Sequence, residues 1–464
     1  MKTNEENLAL LTDSYKEAHH QMYPDGTGNI FSYYEARDGA QFPETVFFGL
    51  QAYLKKYFVG PVIGNDDVTD AEDFCRDHFM GLELFNRKAW DRIVNVHGGR
   101  LPLRIRAVPE GTPVPISNVM MTVETTDPEC APFTNLFETM LTHIWYPSNV
   151  ATISRHVKGQ LKAALDQSCD HDAALPFLLH DFGFRGASSV ESAGMGGMAH
   201  LVNFQGTDTI VGVRYAQRYY GAGMAGFSVP ASEHSIATAL RDEGELDMVR
   251  RLIRQYPTGI LSHVSDSYDI DAAIDAYGTD LKEDILGREG KFVVRLDSPR
   301  YEGETAAEQV VWAAGRLAHW FGTETNGKGF KVLNPKVGLL YGDGLSYNEI
   351  IDCANALVAA GFAADTCVYG MGGGLLQKHN RDTQRIAFKC AAQWRDGKWE
   401  DVFKQPKDPS KASKRGRLKL IRDDGTFRTV REDEPGDDEL VTVFENGELV
   451  KEWSFDEIRQ RAEL

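Results

Sequence analysis

The chain has few cysteines for its length, six among 464 residues, and no Cys-x-x-Cys pair. Cysteines scattered in this way do not make a disulfide framework or a structural zinc site, so we expect reduced thiols. No apolar run approaches the ~18 residues that a membrane-spanning helix needs. The acidic N-terminal segment 1–11 does not have the pattern of a secretory signal. We therefore expect a cytoplasmic protein without a membrane segment.

Positive charge is also scarce, because 50 Lys and Arg residues face 68 Asp and Glu residues, which gives a formal net charge of −18. This balance argues against a nucleic-acid-binding protein, which needs a basic face to neutralise phosphates. A phosphorylated small ligand would need a local cluster of Lys and Arg. The sequence has no His-Glu-x-x-His motif and no Cys/His cluster, so we expect no tightly bound transition metal.

Two glycine-rich segments resemble nucleotide-binding motifs but lack the required context. Residues 194–199 fit a loose Gly-x-Gly-x-x-Ala pattern, yet they lie inside a predicted helix, where close helix packing explains them. Residues 322–329 nearly spell a Walker A loop, but Gly329 follows Lys328, where a magnesium-binding hydroxyl is needed. Neither segment therefore predicts a nucleotide site.

The chain divides into three parts by pattern. Residues 1–150 mix helix and strand signals, with 7–23 largely helical apart from a cap or break near Thr12 or Asp13, and form an α+β domain. From about residue 175, seven short apolar runs end in polar or glycine-rich loops, most with a helix after them, which predicts an irregular parallel α/β barrel over 151–390. In the last part, 391–464, residues 418–450 alternate like antiparallel strands with hairpin turns at Asp424-Gly425 and Asn446-Gly447, and a closing helix is expected at 455–462. We expect this last segment to pack on the N-terminal domain.

Chemically active side chains follow the predicted barrel strands. The apolar run 175–179 is expected to be a strand, followed by Phe182 and Arg185 and by a helix capped by Ser188 with Glu191. An aromatic ring beside a guanidinium suits a planar, partly anionic substrate. Because such strand ends meet at one edge, we expect a shared small-molecule site. The strand-end groups are Arg185, Asp208, His234, Asp266, Arg295, Asp297, Asp343 and glycines 370–374.

The last two loops predict a phosphate site. The segments 342–344 and 370–374 bring bare backbone close to a ligand, and Lys378, Arg381 and Lys389 follow as cations. Tight turns alone are the alternative explanation for these glycines. Mg²⁺ held through substrate would suit Asp297 and Asp343. A solvated loop or a polyphosphate contact would each explain the basic run Lys404, Lys407, Lys411, Lys414, Arg415 and Arg417.

His234 starts a predicted helix after a strand and has Glu233 beside it. A lone histidine is commonly structural. The neighbouring carboxylate and the strand-end position favour proton transfer or nucleophilic attack.

Several separated motifs carry a family resemblance. They are residues 12–16, 44–50, 180–208, 228–230, 233–235, 264–270, 342–344, 372–378, 381–382 and 454–458. Together they resemble the nicotinamide phosphoribosyltransferases, which are type II phosphoribosyltransferases. The resemblance implies a pentosyltransferase that joins nicotinamide to phosphoribosyl pyrophosphate in NAD salvage, giving nicotinamide mononucleotide and pyrophosphate.

The resemblance also implies a homodimer with shared active sites. Phe182 would stack on the pyridine ring, Tyr15 of the partner subunit would cover its other face, and Asp208 would accept from the carboxamide. Catalytic roles would fall on His234, Asp208, Arg295 and Asp297. Further substrate contacts implied by the resemblance are Asp13, Leu296, Gly342 and Gly372.

Phosphate and ribose contacts are assigned by the same resemblance. Pyrophosphate or ribose oxygens would be held by Arg185, Arg295 and His234, ribose hydroxyls by Asp297 and Asp343, and the 5′-phosphate by Gly373 and Arg381. Outer polyphosphate contacts would come from Arg37, Lys389 and Lys404, with Asp266 also in the phosphate and ATP set. ATP would transiently phosphorylate His234, with Mg²⁺ bound through ATP and phosphoribosyl pyrophosphate.

One loop departs from the family pattern. After Arg295 the family commonly has Pro-Asp-Ser-Gly, whereas this chain has Leu-Asp-Ser-Pro at 296–299. The nearest alternative function is nicotinate phosphoribosyltransferase, which shares the barrel. A non-catalytic ligand-binding protein that kept the barrel is a second alternative.

Overall fold

The computed structural model describes residues 6–342, 344–407 and 412–464. The chain forms two compact units. The first takes in the described residues up to Thr152 together with Arg218–Ala222 and Asn380–Glu463, and the second takes in Ile153–Gln217 and Gly223–His379. The domain ranges 1–150, 151–390 and 391–464 stay a prediction.

The first unit contains an antiparallel sheet of seven strands in the order β15-β14-β1-β5-β3-β18-β19. Strand β1 is central: Phe31 lies opposite Ala392 of β14 on one side and opposite Glu124 of β5 on the other. Two further pairs, β2 with β4 and β16 with β17, are separate. The strands are Thr27–Ala36 (β1), Glu44–Val46 (β2), Leu103–Ala107 (β3), Pro113–Pro115 (β4), Val119–Thr125 (β5), Ile386–Arg395 (β14), Lys398–Asp401 (β15), Leu418–Asp423 (β16), Thr426–Arg431 (β17), Val441–Glu445 (β18) and Glu448–Leu449 (β19).

The predicted hairpins of the C-terminal segment are confirmed. Asp424 and Gly425 have φ of 47° and 79°, and Asn446 and Gly447 have φ of 50° and 82°. Positive φ at both central residues is what a two-residue hairpin turn requires, which explains the Asp-Gly and Asn-Gly pairs.

The second unit holds a parallel sheet of six strands in the order β7-β6-β13-β12-β9-β8 and a separate antiparallel pair, β10 with β11. Residues 227–231 bridge both edges, through Gly206 with Phe227 and Ala231 with Ser262. This segment replaces a full seventh strand, so the predicted irregular parallel barrel is confirmed. The strands are Leu179–Asp181 (β6), Gly206–Thr207 (β7), Thr258–Val264 (β8), Glu289–Leu296 (β9), Thr323–Thr325 (β10), Lys331–Leu333 (β11), Val337–Tyr341 (β12) and Cys367–Met371 (β13).

The helices follow the apolar periodicity of the sequence. Capping boxes start α13 at Thr305, α14 at Ser346 and α16 at Ser454, each with a Glu three residues on. The helices are Leu50–Tyr57 (α1), Asn65–His78 (α2), Arg87–Asn95 (α3), Phe133–Leu136 (α4), Glu138–Thr142 (α5), Trp145–Ser168 (α6), Val190–His200 (α7), Ile210–Tyr220 (α8), His234–Ala237 (α9), Glu245–Gln255 (α10), Ile270–Gly278 (α11), Lys282–Leu286 (α12), Ala306–Phe321 (α13), Tyr347–Ala359 (α14), Gly373–Leu376 (α15) and Phe455–Ala462 (α16).

Three local predictions are wrong. Residues 7–23 form three short 3₁₀ turns instead of a helix, with extended backbone at Asp13 between two of them. The run 175–179 begins as a 3₁₀ turn, Leu175–Phe177, and the strand β6 begins only at Leu179, two residues after the end of that turn. Helix α7 is capped by Ser189 with Ser192, not by Ser188 with Glu191.

The Gly-x-Gly-x-x-Ala segment lies within α7, as predicted. A Cβ on Gly212 of α8 would lie 2.7 Å from the carbonyl carbon of Gly197. The glycines therefore let two helices approach closely, which confirms the packing explanation.

Candidate active site

The loops at the carboxyl ends of the parallel strands in the second unit surround an open cleft of about 980 Å³. Its walls bring together many of the residues predicted from strand ends. These are Phe182, Arg185, Asp208, Arg295, Asp297, Gly342, Gly372 and Gly373, and Glu233 beside His234 also lines it. Asp343 lies outside the described residues.

Phe182 follows β6 and is half-buried against β13. Its N–H donates to the carbonyl of Met371 at 3.0 Å. A Cβ on Gly370 would lie 2.1 Å from Cε2 of the ring, so only a glycine at position 370 leaves room for the ring. The ring is therefore a fixed wall, with the exposed Arg185 three residues on.

Asp208 follows β7, and its side chain is exposed to the cleft. Its Oδ1 accepts a hydrogen bond from the Ser228 hydroxyl, and its N–H donates to the carbonyl of Asp181 at 2.9 Å. The carboxylate is thereby oriented from two sides while it can still accept from a ligand.

Three side chains at the ends of neighbouring elements meet around His234. Its Nε2 lies 3.0 Å from Oδ1 of Asp266, and its Nδ1 lies 3.9 Å from Oδ2 of Asp297. The side chain of Asp266 is only 6% exposed, whereas the imidazole is 46% exposed. A buried carboxylate that orients an accessible imidazole is the arrangement that a nucleophilic or proton-transferring histidine needs.

Arg295 ends β9 beside this group. Its Nε lies 3.4 Å from Oδ1 of Asp297, and its Nη1 donates to the carbonyl of Ser232 at 3.2 Å. The next residue, Leu296, is buried, and its carbonyl accepts from the N–H of Gly342 at 3.0 Å. The guanidinium is thus held at the cleft wall by the Ser232 carbonyl and lies beside the Asp297 carboxylate.

Below His234 and Arg295 lies a buried pair that the sequence did not reveal. Ser232 Oγ lies 2.9 Å from Nδ1 of His263, and Ser232 Oγ accepts from the N–H of Val264 at 3.0 Å. Burial, with smaller contributions from Arg295 and His234, lowers the pKa of His263 to about 4. His263 is therefore neutral at pH 7 and adds no charge beneath the site.

The loop after Asp297 is braced despite its departure from the family pattern. Arg300 donates to Glu304 through Nε at 2.8 Å and through its backbone N–H at 2.7 Å. The Glu304 side chain is fully buried, and the guanidinium lies 3.9 Å from the centre of the Trp312 ring. Gln309 Nε2 donates to the carbonyl of Ser298 at 2.7 Å. The loop that carries Asp297 thus has its own anchors.

The glycines at the ends of β12 and β13 differ in what surrounds them. A Cβ on Gly373 would meet no protein atom within 4 Å, whereas one on Gly374 would lie 2.8 Å from the carbonyl of Leu345. The space before Gly373 is therefore available to a ligand.

The remaining predicted residues belong to the first unit. Asp13 accepts from Thr139 Oγ1 at 2.6 Å, and Tyr15 is 62% exposed. Burial lowers the pKa of Lys389; Glu138 opposes this shift, and the surrounding positive charges add to it. These charges belong to Arg37, Lys404 and Arg381. Lys411 of the predicted basic run lies outside the described residues.

Of the same basic run, Lys414 and Arg417 are used within the first unit. Lys414 pairs with Glu35, and Arg417 pairs with Glu124 at 2.8 Å. These two cations therefore have carboxylate partners within the first unit, and the two explanations of the run as a whole stay predictions.

Oxygen and nitrogen ligands suited to a cation are also present. One ligand atom each from His234, Asp266 and Asp297 lies within 4.8 Å of the others.

Within the described residues, no helix combines the length and the apolar character needed to cross a bilayer.

Comparison with known proteins identifies relatives over the full length. Residues 177–448 match the nicotinate phosphoribosyltransferase (NAPRTase) family, and residues 7–105 match the N-terminal domain of nicotinamide phosphoribosyltransferase. The chain is 44% identical to a nicotinamide phosphoribosyltransferase from Xanthomonas campestris pv. campestris, over 99% of this chain and 98% of that protein. It is 33% identical to a nicotinamide phosphoribosyltransferase from Acinetobacter baylyi, over 97% of this chain and 95% of that protein.

Two solved structures share the fold. A nicotinate-nucleotide pyrophosphorylase from Pyrococcus furiosus aligns with a TM-score of 0.62 at 15% identity, over 99% of this chain and 95% of that one. Human nicotinic acid phosphoribosyltransferase aligns with a TM-score of 0.55 at 15% identity, over 98% and 93%. Their identity to this chain is low, so they support the architecture and not a substrate.

Proposed function

The chain belongs to the nicotinate phosphoribosyltransferase family, in the branch of the nicotinamide phosphoribosyltransferases, and from this premise we propose that it condenses nicotinamide with phosphoribosyl pyrophosphate. The products are nicotinamide mononucleotide and pyrophosphate, and the place of action is NAD salvage in the cytoplasm. The observation that carries the proposal is one cleft lined by an aromatic ring, a carboxylate for an amide, and an arginine–aspartate pair.

Nicotinamide binds by its flat ring and its carboxamide. Phe182 stacks on one face of the ring, and Asp208 accepts from the carboxamide NH₂, with Ser228 holding the carboxylate in place. In a homodimer, Tyr15 of the partner subunit covers the other face. A nicotinate carboxylate would be repelled by the negative charge of Asp208, so the site selects the amide.

Phosphoribosyl pyrophosphate reacts through an electron-poor ribose. Loss of pyrophosphate leaves an oxocarbenium-like carbon, so the site must clamp oxygens and position the ring nitrogen more than supply a strong base. Arg295 and Arg185 hold the pyrophosphate, Asp297 holds ribose hydroxyls, and Gly373 lies at the 5′-phosphate. Mg²⁺ bound together with the substrate would neutralise charge on the leaving pyrophosphate, and carboxylates such as Asp297 and Asp343 would suit that ion.

ATP is the coupled substrate. An imidazole nitrogen of His234 attacks the γ-phosphorus, the bond to the β-phosphate oxygen breaks, and ADP leaves while Asp266 stabilises the cationic ring. Hydrolysis of the phosphohistidine then returns the free imidazole. Arg37, Lys389 and Lys404 supply the positive charge for the polyphosphate.

The proposal is tested by measuring mononucleotide formation from nicotinamide and from nicotinate, each with phosphoribosyl pyrophosphate, Mg²⁺ and ATP. We expect a higher kcat/KM with nicotinamide. A preference for nicotinate would assign the other activity, and binding without pyrophosphate release would indicate a non-catalytic protein.

The same assay tests the role of Asp208. In Asp208→Asn the repulsion between the residue 208 carboxylate and the nicotinate carboxylate disappears, so we expect the ratio of kcat/KM for nicotinamide to that for nicotinate to fall about a hundredfold. Asp247→Asn, which changes a carboxylate that is 72% exposed on α10, is the matched control. An unchanged ratio in Asp208→Asn removes this role.

For His234, ATP labelled in the γ-phosphate should leave label on the wild-type protein. His234→Ala should lose the label, and His319→Ala, at an exposed position of α13, should keep it. Labelling that survives in His234→Ala contradicts the coupling mechanism.

A further inference from the structure

Asp181 links the two loops that form the proposed nicotinamide subsite. It ends β6, and its side chain is completely buried. Its Oδ1 accepts from the N–H of Gly183 at 2.7 Å, in the loop of Phe182. Its carbonyl accepts from the N–H of Asp208 at 2.9 Å. One residue therefore ties the stacking ring to the carboxamide acceptor.

The surroundings of Asp181 are built to admit a carboxylate. A Cβ on Gly197 of α7 would lie 3.2 Å from Oδ2 of Asp181 and 2.9 Å from Cγ2 of Thr209. Among the described residues, no Lys, Arg or His forms an ion pair with Asp181. Burial, in larger part than the Asp208 charge, raises the pKa of Asp181 to about 6, so the group is mostly ionised at pH 7.5.

We propose that Asp181 is a positioning and specificity-determining residue: its carboxylate anchors the Phe182 loop and places a second negative charge behind Asp208, which disfavours an anionic pyridine substrate. This inference deepens the proposed function and rests on it. The Asp181 carboxylate itself is shielded from water, and the Asp208 charge contributes to its raised pKa, so the two carboxylates act on each other and on a ligand bound at Asp208.

The hydrogen bond and the charge can be separated by substitution. Asp181→Asn keeps an oxygen that can accept from Gly183 and removes the charge. Asp181→Ala removes both. A residue needed only for folding would lower the apparent kcat for every substrate alike and leave KM and the substrate ratio unchanged, whereas these two variants should change KM or that ratio.

The experiment measures kcat and KM for nicotinamide, nicotinate and phosphoribosyl pyrophosphate in the full-length enzyme. In Asp181→Asn we expect the nicotinamide-to-nicotinate ratio of kcat/KM to fall about tenfold or more, with KM for nicotinamide within about threefold of wild type. In Asp181→Ala we expect KM for nicotinamide to rise about tenfold, because Phe182 loses its anchor. KM for phosphoribosyl pyrophosphate should stay within about twofold in both.

Two results separate the possible failures. If wild type prefers nicotinamide and folded Asp181→Asn keeps the wild-type ratio, the charge proposal is overturned. If wild type itself prefers nicotinate, the proposed function has failed instead. Should Asp181→Asn not fold, Asp181→Ser is also neutral and can accept from Gly183, and the same reading applies to it.

Discussion

At the scale of single residues, Gly370 shows how a missing side chain makes a site. Its Cα lies where any Cβ would be 2.1 Å from the Phe182 ring. The ring can lie along the barrel end only because β13 carries no side chain at that point.

Gly370→Ala should therefore displace the Phe182 ring. We expect KM for nicotinamide to rise about tenfold or more while the protein still folds, since the cost falls on one movable side chain. Gly315→Ala, at an exposed position of α13 with open space before it, is the control and should stabilise by up to about 1 kcal/mol. Steady-state kinetics with both variants decide the matter, and an unchanged KM in Gly370→Ala would contradict the prediction.

The buried Asp181 carboxyl should cost stability at neutral pH. Burial raises its pKa from 3.8 to about 6, so the folded chain binds a proton more tightly than the unfolded chain. The penalty is absent below pH 4, grows as pH rises through this window, and reaches about 3 kcal/mol above pH 6. Asp181→Asn lacks it. In urea unfolding, the extra stability of Asp181→Asn over wild type should grow by about 1.5 kcal/mol between pH 5 and pH 8. A constant difference would show that the carboxyl does not titrate in this way.

Residues at strand ends could be predicted from the sequence, whereas those beneath them could not. Phe182, Asp208 and Arg295 follow apolar runs, and a parallel sheet brings such ends together. Asp181 is the last residue of β6 and His263 lies within β8; both side chains are buried and act through contacts between distant segments. The one signal for Asp181 is a charged residue within an otherwise apolar run.

At the scale of elements, the loop between β9 and α13 shows how a changed sequence keeps its geometry. The rigid Pro-Asp-Ser-Gly pattern is absent, and the bracing comes instead from Arg300, buried Glu304 and Gln309. A bidentate pair with its guanidinium on an aromatic face fixes both the position and the direction of the loop.

Glu304→Gln should loosen this loop. We expect a loss of about 2 kcal/mol of stability, less than for a fully buried pair because Arg300 is 18% exposed. KM for phosphoribosyl pyrophosphate should rise about fivefold while KM for nicotinamide stays unchanged, since Asp297 is on this loop. Glu302→Gln, at the exposed neighbour, is the control. Equal changes in both KM values would speak against a local effect.

Helix starts depend on local chemistry, yet the one cap predicted from the sequence, Ser188 with Glu191, is displaced by one residue. The Ser/Thr…Glu pairs before α13, α14 and α16 satisfy helix N–H groups within four residues, so no tertiary contact is needed to place them. The strand predicted over 175–179 was wrong because an apolar pattern cannot distinguish a strand from a short buried turn. Pro176 also lacks the N–H that a strand needs for pairing.

At the scale of the whole molecule, the net charge is −18, yet a cluster of positive side chains lies in the first unit. Arg37, Arg381 and Lys404 lie near enough to Lys389 to lower its pKa, together with burial. Holding like charges together costs free energy that a bound polyphosphate would recover.

Lys389→Met keeps the length of the side chain and removes its charge. We expect KM for ATP and for phosphoribosyl pyrophosphate to rise about tenfold, with KM for nicotinamide unchanged. Lys88→Met, at a side chain that is 87% exposed, should leave all three unchanged. Unaltered polyphosphate affinity in Lys389→Met would remove this residue from the proposed contacts.

The family and the barrel class were predictable from the sequence and are confirmed, because repeated strand–loop–helix units and separated motifs mark them. The closure of the barrel was not predicted as it occurs. Residues 227–231 belong to one of the apolar runs that predict strands. They make single bridges, to Gly206 and Ser262, because the chain turns toward His234 after only a few residues.

The order of the antiparallel sheet has a consequence for how the protein is made. Strands β1, β3 and β5 leave the ribosome early, but the partners that cover β1 and β3, β14 and β18, are translated only after residues 385 and 440. Until then the nascent chain carries open strand edges, which invite aggregation. Premature termination of translation anywhere in the barrel would therefore release an aggregation-prone fragment and not a smaller functional protein.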